Sequence, residues 1–162
     1  MKKTNIKKHK LKPFIFPDGF VLVIDTREQA PLFIKPPKGL LTVRDTLKHG
    51  DYSIKGFEDK ICFERKRVTE LYSFVAAERD KAVKKLTAMK DLSYKALVIE
   101  GVEKEVLSPQ IFTKVSPEAV RQALVSFEIR YGLHIYYGRN REDIERWILD
   151  RCIKFFKIMR EV

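Results

Sequence analysis

Two uninterrupted apolar runs, Phe20-Val21-Leu22-Val23-Ile24 and Ala96-Leu97-Val98-Ile99, constrain the fold of this chain more than any other feature. A strand with one wet face alternates apolar and polar residues, so runs without alternation need cover on both faces. The chain must therefore build a sheet lying between helices. Between and after the runs the period changes. Over residues 69–90, Leu71, Phe74, Val75, Ala82, Leu86 and Met89 form one stripe at helical spacing, with Glu78, Arg79, Lys81, Lys84 and Lys85 largely elsewhere. Ser116-Pro117-Glu118 supplies a cap and a first-turn proline for a helix that stops at Gly132, and Asn140 caps a last helix. Further strands are expected over residues 40–47 and 133–137, with residues 31–37 as loop. The order is strands, helix, strand, helix, strand, helix: one α/β domain, which 162 residues suffice to give a core.

Gly50-Asp51-Tyr52 and Phe63-Glu64-Arg65-Lys66 flank a turn-like segment, Gly56-Phe57-Glu58-Asp59-Lys60. If residues 51–55 and 60–66 pair as a hairpin, Glu64 and Lys66 share a face and Asp51 approaches from the neighbouring strand. Two carboxylates and a lysine converging on one point suit a hard divalent cation beside a phosphate. The same residues also suit a solvated hairpin face, and the spacing alone does not separate the two readings. Asp25 ends the first apolar run, where ligand sites of open α/β sheets form and where a turn cap is equally at home. Arg27 and Glu28 read either as part of a site or as a local ion pair. His49 reads as a loop histidine.

The formal net charge is +11 and the pI about 9.6, with six lysines within the first twelve residues. Such an excess favours a polyanionic partner. No run approaches transmembrane length, and the lysine-rich start lacks the apolar stretch of a secretory signal. Cys62 and Cys152 lie far apart and read as buried free thiols in a reducing compartment. There is no phosphate-loop motif for a nucleotide cofactor. Residues 1–18, interrupted by Pro13 and Pro17, read as a basic, flexible arm, and residues 19–162 as the folded domain.

Three segments together resemble the ERCC4-type nuclease domain of the XPF/Mus81 family of structure-specific endonucleases. They are Ile24-Asp25-Thr26-Arg27-Glu28, Gly50-Asp51-Tyr52, and Glu64-Arg65-Lys66 with Glu70-Leu71 beyond. The resemblance covers roughly residues 19–160. It implies a restriction-endonuclease-like fold, a mixed central sheet flanked by helices. It implies a Mg²⁺- or Mn²⁺-dependent endonuclease that cuts flap, fork or junction DNA in repair or recombination. By position, Asp51 and Glu64 match the metal-binding carboxylates, Asp25 matches the strand-one acid near the metal and is expected as a further catalytic and metal-binding residue, and Lys66 matches the catalytic lysine. Arg27, Glu28 and Arg65 match supporting positions, and Glu70 stands where the signature ends in aspartate. Arg79 lies where the family often carries an arginine; with Lys81, Lys84 and Lys85 it reads as a patch for DNA phosphates.

The family dimerises through this domain, which implies a homodimer. The stripe Ile144, Trp147, Ile148, Ile153 and Phe156 of the last helix, wider than one buried face needs, is in keeping with that. The expected location is intracellular: nucleoid-associated in a prokaryote, nuclear in a eukaryote. The tandem helix-hairpin-helix module that often follows this domain has no room here, so a stand-alone or excised nuclease domain is expected. Two other readings stay open. One is a non-catalytic DNA-binding scaffold acting through a partner, although such relatives lose the carboxylates or lysine kept here. The other is a basic protein that binds RNA or DNA without cutting it.

Overall fold

The computed structural model describes residues 11–161. Its strands are β1 (Val21–Asp25), β2 (Leu41–Asp45), β3 (Tyr52–Ile54), β4 (Ile61–Arg67), β5 (Tyr94–Glu100) and β6 (His134–Gly138). They form one six-stranded sheet in the order β2-β1-β3-β4-β5-β6. β3 is antiparallel to both neighbours, and the remaining pairings are parallel. The C-terminal ends of five strands therefore share one edge with the start of β3.

The helices are α1 (Val68–Val75), α2 (Arg79–Ala88), α3 (Glu103–Val106), α4 (Pro117–Tyr131) and α5 (Arg141–Arg160). Alternate residues of β5 serve opposite layers. Ala96 and Val98 pack with Ile144, Ile148 and Leu149 of α5. Leu97 and Ile99 pack with Leu71, Phe74, Leu86, Val120 and Phe127 of the other helices. The unbroken apolar run thus reflects cover on both faces, and the sheet is mixed and helix-flanked, as the resemblance implied. Ser116 and Asn140 each accept a backbone N–H as caps, and Gly132 ends α4 at φ 62°. Cys62 and Cys152 are buried free thiols. Among the described residues, no helix is long and apolar enough to cross a membrane.

Two expectations need correction, and one element is new. The helix expected over residues 69–90 is two helices, α1 and α2, joined by a turn at residues 76–78. There the Glu78 N–H donates to the Ser73 carbonyl at 2.8 Å. Arg79 donates to the Val75 carbonyl and lies over the Phe127 ring, 5.4 Å from its centroid. The apolar residues on either side of the interruption keep helical spacing in the sequence, so periodicity does not register it. Secondly, the stripe of α5 is consumed within the chain. Ile144, Ile148 and Phe156 are core, while Trp147 stacks on Tyr136 at 4.5 Å under the Arg151 guanidinium. That stripe therefore gives no ground for a dimer. Lastly, the short helix α3 has no counterpart in the sequence reading.

The expected arm lies mostly outside the described residues. Its described part, residues 11–18, has no helix or strand, but Phe14 and Phe16 pack against the core beside α5. Gly138, at the end of β6, abuts buried Ile144, and a Cβ there would fall inside the van der Waals envelope of that side chain. Gly138→Ala should destabilise the fold by about 1–3 kcal/mol through overpacking, read as a lowered midpoint in denaturant at unchanged slope.

Candidate active site

The edge shared by the strand ends becomes a site because backbone bonds lock β3 to both neighbours. Asp25 N–H donates to the Asp51 carbonyl at 2.9 Å, and Asp51 N–H donates to the Phe63 carbonyl at 2.8 Å. The Asp51 Oδ2 accepts the Arg65 N–H at 2.8 Å. Asp51 is therefore fixed between β1 and β4. Gly50 permits this approach: its φ is 70°, and a Cβ would stand 2.8 Å from the Phe63 carbonyl oxygen. Only glycine meets both demands without strain.

Around Asp51 lies a cleft of about 460 Å³, lined by Asp25, Arg27, Glu28, Glu64, Arg65, Lys66 and Glu70. Lys48, Arg67 and Lys85 also face it. Glu64 is 3% exposed. Its Oε1 accepts from Lys66 Nζ at 2.8 Å and from Lys85 Nζ at 2.7 Å. Lys85 Nζ is equally 2.7 Å from Oε2, but outside hydrogen-bond geometry, so buried Oε2 accepts no hydrogen bond. Burial alone would raise the Glu64 pKa, yet Lys85 and Lys66 hold it below its ordinary value. Asp51 behaves oppositely: burial, and then the Glu64 charge, push it up to about 7. Burial also opposes the ionisation of Lys66, but Glu64 outweighs it and raises the lysine's pKa.

Asp25 is drawn to other partners. Its Oδ2 accepts from Arg27 Nε at 2.8 Å and its Oδ1 from Leu47 N–H at 2.9 Å. These bonds outweigh burial and lower its pKa. Glu28 pairs with Arg65, so Arg27 and Glu28 do not form the local pair that the sequence also allowed. The Arg65 guanidinium further binds Glu100 at 2.5 Å and the Ala30 carbonyl at 2.6 Å. Glu70 Oε2 accepts the Arg67 N–H at 2.8 Å, closing the first turn of α1.

The cleft thus gathers all eight residues that the signature marked. Of the four basic residues read as a phosphate patch, Lys85 turns inward to Glu64, Arg79 stacks on Phe127 and Lys81 pairs with Glu78. Lys84 is exposed. Sequence reasoning missed Glu100 as a partner of Arg65 and Lys48 on the rim, for which no local signal exists.

Among the described residues, no group of three or more His, Cys, Asp or Glu side chains is arranged around a common point. Asp51 and Glu64 nevertheless fit a hard divalent ion. They are two oxygen donors facing one cleft, buried Glu64 orphaned at Oε2 and half-buried Asp51 pushed towards its protonated form by desolvation and then by the Glu64 charge.

A family model described as the ERCC4 domain matches residues 24–150 of the chain. The chain is similar to XPF from Aeropyrum pernix in complex with DNA, with TM-score 0.63 and 14% identity over 85% of this chain and 65% of that one. It is likewise similar to XPF from Aeropyrum pernix alone, with TM-score 0.63 and 13% identity over 83% of this chain and 60% of that one. It therefore spans less than two thirds of either structure. No curated protein matches it.

Asp51 sets a pH dependence of stability in metal-free buffer. Its folded pKa of about 7 exceeds its ordinary 3.8, so between those values the folded chain holds a proton that the unfolded chain has released. Stability should fall as pH rises from about 4 to about 7, by on the order of 2–4 kcal/mol, and then level off. Glu64 has the opposite sign: its contribution is present above about pH 4.5 and is lost at lower pH. Denaturant titrations at stepped pH check this, and Asp51→Asn should abolish the decline.

Proposed function

This chain belongs to the ERCC4 domain family of nucleases, and from that membership we propose that it is a divalent-metal-dependent DNA endonuclease acting on flap, fork or junction structures. The observation that carries the reading is buried Glu64, bonded by Lys66 at 2.8 Å, in one cleft with half-buried Asp51. Asp51 and Glu64 would hold Mg²⁺ or Mn²⁺, whose chemistry when bound is to polarise a phosphoryl oxygen and acidify a water.

The chain's own residues do the rest. Below about pH 7, Asp51 holds a proton on its carboxyl and is a poor ligand; above it, the carboxylate is available. Lys66 Nζ is held at the cleft by Glu64, where an ammonium stabilises negative charge gathering on the phosphoryl oxygens in the transition state. Arg65 is fully engaged, so it orients Asp51 through its N–H and leaves substrate to others. Arg27 and Arg67, with side chains 67% and 56% exposed, stand at the rim for neighbouring phosphates. Asp25 fixes the Arg27 fork, which makes it a positioning residue in this reading. The lysines of residues 1–10, outside the described residues, would add salt-sensitive attraction. Action on cellular DNA would make the protein intracellular.

The test is cleavage of labelled flap, fork and linear duplexes with Mg²⁺ or Mn²⁺. Asp51→Ala and Lys66→Ala should each lower the rate by about 10²-fold or more while DNA binding persists. Cleavage by Asp51→Ala at the parent rate would remove the mechanism, and binding without cleavage by the parent would favour a scaffold. We also propose a homodimer, which the consumed stripe of α5 no longer supports. The exposed Ile129 of α4, 80% accessible, offers another surface. Light scattering should then give twice the 19.0 kDa chain mass, and Ile129→Glu should return the monomer.

A further inference from the structure

Glu64 carries more positive charge than the proposed reaction uses. Lys66, two residues along β4, holds Oε1. Lys85 arrives from the last turn of α2, after the break in the expected helix, and its Nζ is 2.7 Å from both carboxylate oxygens. That places an ammonium broadside on the pair of oxygens, with Oε2 left without a hydrogen bond. Among the described residues, Nζ of Lys85 has no other side-chain or carbonyl acceptor.

We propose that the Lys85 ammonium is a built-in counter-cation for the Asp51–Glu64 pair, a positioning residue that a divalent ion must displace from Glu64 in order to bind. The inference rests on reading those two carboxylates as a cation seat. A buried carboxylate beside a second one needs positive charge when no ion is bound, and Lys85 supplies it from outside β4. An ammonium and a divalent ion cannot both lie against one carboxylate without strong repulsion. Lys85 is the lysine that leaves. Its side chain is 40% exposed, whereas that of Lys66 is 20% exposed and lies 5.4 Å from the centroid of the Phe74 ring. Once displaced, the ammonium stays at the mouth of the cleft, where a DNA phosphate can accept it. Ion entry and DNA binding then favour each other.

The experiment is a titration of the metal-free full chain with Mn²⁺, reading free ion by electron paramagnetic resonance in the absence of DNA. Lys85→Met should bind Mn²⁺ roughly ten-fold more tightly than the parent, a typical magnitude for coupled sites. Lys85→Arg, which keeps the charge, and Lys84→Met, a neighbouring exposed lysine, should stay near the parent value. Mn²⁺ should also raise the melting temperature of Lys85→Met by more than that of the parent, which a merely structural ion pair would not predict. If Lys85→Met does not fold, Lys85→Gln is read in the same way. Unchanged or weaker binding in the variant, with binding in the parent lost in Glu64→Gln, overturns the proposal and leaves the cation seat standing. Equal binding by the parent and Glu64→Gln removes the seat itself, and the proposal with it.

Discussion

The structure depends on one buried guanidinium. Arg65 sits in the middle of β4, and its side chain ties Glu28 and Ala30 after β1 to Glu100 at the end of β5. Its backbone N–H meanwhile fixes Asp51. A buried charge left unpaired costs several kcal/mol, so each carboxylate is obliged to stay where it is. Burial disfavours the charged arginine, but Glu28 and Glu100 outweigh it and raise the pKa further. The residue therefore keeps its charge at every accessible pH. Strand ends and loops that belong to separate parts of the chain are joined by planar, charge-assisted bonds that tolerate little displacement.

On that frame, the reversal of β3 decides where chemistry can occur. Were β3 parallel to its neighbours, Asp51 would stand at the opposite edge from Asp25 and Lys66. Because β3 alone is reversed, its first residues meet the ends of β1 and β4, and two carboxylates enter one low-dielectric space. Their ionisation then diverges. Glu64, with two ammonium groups against it, stays charged, whereas Asp51 beside it retains its proton to about pH 7. Titration of one belongs to the pair.

Much of this was legible in the sequence, for identifiable reasons. The apolar runs at residues 20–24 and 96–99 demand a doubly covered sheet, and alternation along residues 61–66 puts Glu64 and Lys66 on one face. Ser116, Gly132 and Asn140 mark helix ends by local hydrogen bonding alone. What escaped notice depends on distance in sequence. Arg65 finds Glu28 and Glu100 across 37 and 35 residues, and nothing local marks either pairing. Lys85 looks like a solvated helix lysine beside Lys81 and Lys84. In the fold it meets Glu64, 21 residues earlier, a pairing that leaves no trace in periodicity. The stripe of α5 misled because Tyr136 and Arg151 cover Trp147 from within the chain.

The long reach of Arg65 has a consequence for biogenesis. The hairpin of β3 and β4 can form early, since its contacts are local, but the parallel register of β4 with β5 must wait for the intervening α1 and α2. Until β5 docks, Glu100 is missing and the Arg65 guanidinium has lost one of its two carboxylates. A chain in which β5 has not docked therefore carries every signature residue without this tie. The tie that joins the ends of β1, β4 and β5 is completed only when the sheet closes.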